Sequence, residues 1–309
     1  MASLHPTGTW DYDSMADEKG ALFEALVDDE VQVVDEILQK YPELVNCELN
    51  LHFPASPLVI ACEGDRHPTA CEDLVAVLIK HGADPNFVGC FGNSRFGLKR
   101  MTPLMLVALN VIPESVKILL NAGANINETD SRGQTTLHLC CYGRPSFKGS
   151  SDIIKILLSH NADVSVKDVY GRTALHYACE NLSAKDGVDL LLNAGAEMNI
   201  ADNSGFTELE LAAMSFKDPE TKLQLLTDSY PYPTEAIIEA YETSAWSLLQ
   251  DLDSDFTLDP AVECMRRATL MKKEHNIPKN VSDPLDCYGF VKEWETVEEL
   301  LTYQTLVNN

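Results

Sequence analysis

Thr173-Ala174-Leu175-His176, followed twenty residues on by Asn193-Ala194-Gly195-Ala196-Glu197-Met198-Asn199, is the clearest copy of a phrase that recurs along the chain. Tetrapeptides of this form begin at Ser56, Thr102, Thr135, Thr173 and Thr207, at offsets of 46, 33, 38 and 34. Matching second phrases run from His81 to Asn86, Asn121 to Asn127, His160 to Val164 and Asn193 to Asn199. Self-similarity at such a period means a solenoid, in which each unit is too small to bury its apolar face alone and stacks on its neighbours. A chain of this kind usually binds and does not catalyse.

Each recurring letter has a local physical job. Thr173 can cap a first helix, and Leu175 drops into the core one turn later. Pro57 and Pro103 fall at an early helical position, where a missing N–H costs nothing. Val188, Leu190, Leu191 and Leu192 supply the apolar face of a second helix, which stops at Gly195, a residue able to take the left-handed cap conformation. Asn161 replaces that glycine in one copy, and asparagine tolerates the conformation best after glycine. Asp130 to Gly133, Asp168 to Gly171 and Asp202 to Gly205 read as hairpin turns between units.

Tetrapeptide, glycine cap and turn together resemble the ankyrin repeat. The resemblance implies an all-α fold with short β-hairpin turns, built as a solenoid and continued by a C-terminal helical segment. Residues 1–20 are expected to be a flexible acidic arm containing Trp10 and Tyr12. Residues 21–228 are the array, a capping unit plus about five repeats. In the capping unit Leu22, Ala25, Leu26, Val33, Val34, Ile37 and Leu38 lie at helical spacings across a helix pair. The last repeat is degenerate, with Glu208 and Glu210 where Pro and His are usual. Residues 229–309 are expected to be a helical extension packed on that repeat, with helices over 234–252, 260–276 and 296–303.

Composition narrows the function. Against 23 basic residues stand 48 acidic ones, a net charge of −25. A nucleic-acid or anionic-membrane partner needs a basic face able to displace counterions, and no Lys/Arg cluster supplies one. No run approaches the roughly eighteen apolar residues that span a membrane. Nine scattered cysteines, an odd number without framework spacing, point to a reducing compartment, so the protein is expected in the cytoplasm or nucleus as a monomer.

His138 with Cys140 and Cys141, and His176 with Cys179, have the spacing of metal ligands on a helix. In a tetrapeptide of this kind the His is a structural hydrogen-bonding residue and the small residue three positions on is core, so no metal, cofactor or catalytic residue is assigned. The chain is expected not to be an enzyme. Its partner should be a protein or peptide lying across the concave face made by hairpin tips and first helices. Insertions mark that face: Phe87 to Arg100 enlarges the finger before the third unit, and Gly143 to Ser150 enlarges a loop between paired helices. Candidate contacts are Asn50, His52, Phe53, Phe91, Arg95, Phe96, Arg100, Tyr142, Arg144, Tyr170, Tyr177 and Glu180, because exposed aromatic and Arg side chains are the usual interface anchors.

Behind the array, EAIIEAYETSA from Glu235 onward, then PAVECMRRATLMK and CYGFVKEWETVEELL, resemble the region following the N-terminal ankyrin array in the Fem family of ubiquitin-ligase substrate receptors. Tyr288, Gly289, Lys292, Glu293, Thr296, Glu298, Glu299 and Leu300 carry the likeness, and the finger insertion has a counterpart there. The resemblance implies a substrate-recognition or adaptor role beside cullin-RING ligase subunits. It departs in two respects. The chain ends at Asn309, before the family's elongin-binding box, and Arg95, Lys99, Arg100 and Arg144 stand where the family's pocket has carboxylates, so a specificity for C-terminal arginine does not carry over. A free-standing scaffold, or an inhibitor of another complex, is the reading left open beside it.

Overall fold

A computed structural model describes residues 16–49, 55–63, 68–91, 99–142, 150–180, 185–214, 219–250 and 268. They fall into two compact units that divide between Val169 and Tyr170.

In the first unit the helices come in pairs: α1 (Ala16–Val27) with α2 (Val31–Lys40), α3 (Pro57–Cys62) with α4 (Pro68–Lys80), α5 (Pro103–Leu109) with α6 (Pro113–Asn121), and α7 (Thr136–Tyr142) with α8 (Ser150–Ser159). First helices pack on first helices, α1 to α3 to α5 to α7, and second helices on second, α2 to α4 to α6 to α8. α3 and α5 lie between neighbours on both sides, and for that reason they are apolar all round. Every residue from Pro57 to Cys62 and from Pro103 to Ala108 is buried. α1 begins at Ala16, so the expected arm gives way to helix before residue 20. Val33, expected in the core of the capping pair, is exposed, whereas Leu22, Ala25, Leu26, Val34 and Leu38 are buried. The finger's base is a two-stranded antiparallel ribbon, β1 (Gly89–Phe91) on β2 (Lys99–Met101). Its tip, with the expected helices over 260–276 and 296–303 apart from Ala268, lies outside the described residues.

The tetrapeptide does what its letters allow. Ser56 Oγ accepts the Val59 N–H and Thr102 Oγ1 the Met105 N–H, each capping a helix that starts with proline. His138 Nδ1 accepts the Thr135 N–H at 3.2 Å, clamping the same turn through a side chain.

At the ends of second helices the Schellman pair of bonds recurs, with Gly82, Gly123 and Asn161 in the left-handed conformation. A side-chain ladder then ties each loop to the next. Asn46 accepts the Asp84 N–H at 2.8 Å and donates to the Gly82 carbonyl, Asn86 does the same with Asn125 and Gly123, and Asn127 accepts from Asp163. Loop backbone that would otherwise be left unpaired is thereby satisfied. Ser165 stands where the earlier loops have asparagine, and turns its hydroxyl onto Asp163 of its own loop.

The second unit contains α9 (Ala174–Glu180), α10 (Lys185–Asn193), α11 (Glu208–Ala213), α12 (Pro219–Ser229) and α13 (Thr234–Gln250). α9 packs on α10 and α11, α11 on α12, and α13 takes against α11 the place that α11 takes against α9. Among its described side chains, Ile238, Ala240, Tyr241 and Ser244 are buried. Thr234, expected as a cap, is the first helical residue.

The unit that sequence marks as degenerate keeps the clamp by other means. Glu210 Oε2 accepts the Thr207 N–H at 2.7 Å and the Thr207 hydroxyl at 2.8 Å, while Thr207 Oγ1 accepts the Glu210 N–H, a capping box. A carboxylate here does the work of the histidine in the preceding unit, where His176 Nδ1 accepts the Thr173 N–H at 3.1 Å.

Candidate functional site

Gly171 has φ +77°, and its backbone passes so close to Asn203 that the Asn203 N–H donates to the Tyr170 carbonyl at 2.8 Å. This tie fixes the start of the hairpin and aims Tyr170 outward, 51% exposed. Two residues on, Arg172 points back across the unit. Its Nε donates to Asp202 Oδ2 at 3.0 Å, its Nη1 lies 3.5 Å from Glu180 Oε2, and its guanidinium carbon sits 5.8 Å from the Tyr177 ring centroid. Asp202 is itself immobile, because its other oxygen accepts the N–H groups of Ser204 and Phe206. Burial pushes the Asp202 carboxyl up, but the Arg172 guanidinium and those two N–H groups outweigh it and hold the carboxyl below its ordinary value.

Arg172 is thus fixed in direction by a buried carboxylate with Glu180 beside it, and Tyr170, two residues earlier in the chain, is exposed. Tyr177 differs from expectation. It is 4% exposed and forms part of the α9 core, so it supports Arg172 from below and presents no surface of its own. Arg172, which draws Asp202, Glu180 and Tyr177 together, was not among the sequence candidates; its signal is a lone basic residue between the turn glycine and the helix-capping threonine.

In the first unit Arg100 lies in β2 opposite Cys90 and is exposed, and Tyr142 ends α7 with 61% exposure. Phe91 occupies β1 opposite Lys99; its side chain lies outside the described residues, as do Asn50, His52, Phe53, Arg95, Phe96 and Arg144.

The histidines and thiols are occupied by the fold. His176 Nδ1 accepts from Thr173, so Nε2 carries the proton and donates to the Ile200 carbonyl at 2.9 Å. Burial pushes the Cys140 thiol up to about 12 and raises that of Cys179 further, the opposite of what a nucleophile needs. Among the described residues no group of three His, Cys, Asp or Glu side chains is placed to hold a metal. No described helix is long and apolar enough to cross a membrane.

The family model for ankyrin repeats matches residues 22–130, 58–168, 104–202 and 147–230, overlapping segments that together cover more than half of the chain. The chain belongs to the ankyrin-repeat family. Its helix pairs, glycine caps and Asn-stapled loops are thus ankyrin units, and an ankyrin surface is as a rule a protein-binding surface. An ankyrin repeat protein of fowlpox virus (strain NVSL), FPV216, is 32% identical over 124 residues, covering 37% of this chain and 36% of that protein. The match therefore spans little more than a third of either protein.

Proposed function

We propose that this ankyrin array recognises a protein segment through Tyr170, Arg172 and Glu180 of its second unit. The observation that carries the reading is the Arg172 guanidinium held by Asp202 and Glu180, two residues along the chain from an exposed tyrosine. Side chains already ordered in the unbound protein lose little entropy on binding, and Tyr and Arg are the side chains that most often dominate interface energy. The net charge of −25 favours a neutral or basic partner segment over an acidic one. Six described cysteines are thiols, which supports a reducing compartment, the cytoplasm or nucleus. The test is capture by the immobilised protein followed by competition with Tyr170→Ala and Glu180→Ala. A partner held by the native protein and lost by both variants supports the reading. A partner held equally by all three overturns it.

The C-terminal sequence supports a finer reading, a substrate-recognition or adaptor role in a cullin-RING ubiquitin ligase of the Fem type. Of the stretches that carry the likeness, Glu235 to Ala245 lie in α13 and Ala268 is a buried residue, and the others lie outside the described residues. Co-purification with elongin and cullin subunits tests it. Specific capture of another partner without those subunits favours the free-standing scaffold or inhibitor instead.

A further inference from the structure

The capping pair has one covered side, where α1 packs on α3 and α2 on α4. Asp35 shows which side of α2 that is. Its Oδ1 accepts from His81 Nε2 at 2.7 Å and from Lys80 Nζ at 3.1 Å, both at the end of α4. Val33 and Ile37, two residues either side of Asp35, therefore point away from α4, roughly 160° round the helix. Val33 is 38% exposed and Ile37 half-buried. A groove of about 400 Å³ lies between α1 and α2 on this outer side. Ala21, Ile37 and Tyr41 give it an apolar floor, and Asp17, Glu18 and Glu36 line it with carboxylates. It is open to solvent, for Asp17, Ala21 and Glu36 are all exposed. The terminal unit of a solenoid needs a polar outer face to meet water. An apolar stripe there, rimmed by charge, is a surface shaped for a neighbour.

We propose that this end groove is a second docking site, separate from the Tyr170 and Arg172 surface, and that it takes a basic amphipathic helix of a partner protein. A helix with one apolar face lies naturally in a groove between two helices, and α3 and α4 cover the opposite side of the same pair in that way.

Charge selects the flanks of the incoming helix. Three carboxylates stand against one ammonium, that of Lys40, which sits 4.9 Å from the centroid of the Tyr41 ring. Lys19, two residues from Ala21, falls on the far side of α1. The groove is thus net negative and favours Lys or Arg beside the apolar face that enters it. Two other occupants bring the wrong sign. Residues 1–15 carry Asp11 and Asp13 and neither Lys nor Arg, and a second copy brings the same three carboxylates on a chain of net charge −25.

The probe is a synthetic helical peptide about four turns long, with Leu on one face and Lys along its flanks, set beside a peptide of the same composition in scrambled order. Titrated into the full chain and followed by fluorescence anisotropy and amide exchange, it should bind saturably and protect amides within residues 17–41. The scrambled peptide should bind about tenfold more weakly. Glu36→Lys, at an exposed position, should weaken binding about tenfold and leave melting unchanged. Glu197→Lys, the same change of charge at an exposed position of the second unit, should stay within about twofold of the native chain. Tyr170→Ala should bind the peptide as the native chain does, which keeps this outcome separate from that of the Tyr170 reading. Equal losses in Glu36→Lys and Glu197→Lys, or protection elsewhere, mean that the peptide answers to net charge alone and overturn the proposal. It is overturned too if Trp10→Ala raises the affinity, which gives the groove to the chain's own first residues, or if sedimentation shows self-association that Val33→Asp abolishes, which gives it to a second copy.

Discussion

Val111 has φ +55°, in the left-handed region that β-branched residues avoid. It follows α5 at the position that closes a Schellman motif. The Val111 N–H donates to the Ala108 carbonyl at 3.2 Å and the Ile112 N–H to the Val107 carbonyl at 3.1 Å, the same pair that Gly123 and Ala124 make after α6. Ile112 is buried, and Asn110 donates to the Cys62 carbonyl at 3.0 Å, so both flanks of the turn are held and Val111 cannot relax.

Replacing Val111 by glycine should therefore stabilise the protein. Relief of the left-handed penalty is worth about 1–2 kcal/mol, with a β-branched residue at the upper end. Against it stand about 0.5–1 kcal/mol of unfolded-state entropy and a smaller loss of apolar contact from a part-exposed valine. The net gain is about 0.5–1 kcal/mol. Urea denaturation followed by far-UV circular dichroism should show a higher midpoint at unchanged slope, by a few tenths of a molar. The reverse change, Gly123→Val, with φ +90° at the equivalent turn, should lower the midpoint by more. If Val111→Gly lowers the midpoint while Gly123→Val leaves it alone, strain at this turn is not what limits the array.

Gly171→Ala should destabilise by more than the left-handed penalty of about 1 kcal/mol, because the added Cβ would lie 2.9 Å from the Asn203 backbone nitrogen and 2.5 Å from its Oδ1; denaturation midpoints check it, and a neutral result refutes it. Leu175→Ala removes a fully buried side chain of α9 and should cost about 2–5 kcal/mol. Native-state maleimide labelling with peptide mapping should modify the part-exposed Cys47 well before Cys62, Cys71, Cys140, Cys141 or Cys179, which are buried and should react only on unfolding. Chelator and reductant should leave the melting curve in place, and a large shift with chelator would overturn the structural reading of His176 and Cys179.

The array was readable in the sequence wherever a letter acts on its own turn. Thr, Pro, the cap glycine and Asn161 each bond or bend within a few residues of themselves, and each sits where its letter implies. Part of what stayed hidden is a change of side chain that keeps the bond: Glu210 looks like the loss of a histidine until its carboxylate is seen on Thr207, three residues back. The rest depends on partners further off along the chain: Glu208 looks like the loss of a proline until its carboxylate is seen on the Asn199 N–H. Tyr177 was misassigned for a related reason: a seven-residue helix buried all round has no polar face, so periodicity cannot say which side chain reaches water. Arg172 escaped notice because its value lies in being held by Asp202 and Glu180, which no spacing announces.

On the proposed reading, stability and recognition fall to different atoms of the same turns. Asp202 accepts two backbone N–H groups and Arg172, and two repeats earlier Asp130 accepts the N–H groups of Arg132 and Gln134, so these hairpins hold their shape through carboxylates set below their tips. The tip side chains add little to that framework. Tyr170→Ala should accordingly reduce partner binding by about 1–2 kcal/mol and leave melting unchanged, whereas Tyr177→Ala should lower the melting temperature through the core, by about 3–5 kcal/mol of stability, and disturb binding only through Arg172. If the two tyrosines behave alike, the hairpin tip belongs to the fold and the recognition surface lies elsewhere.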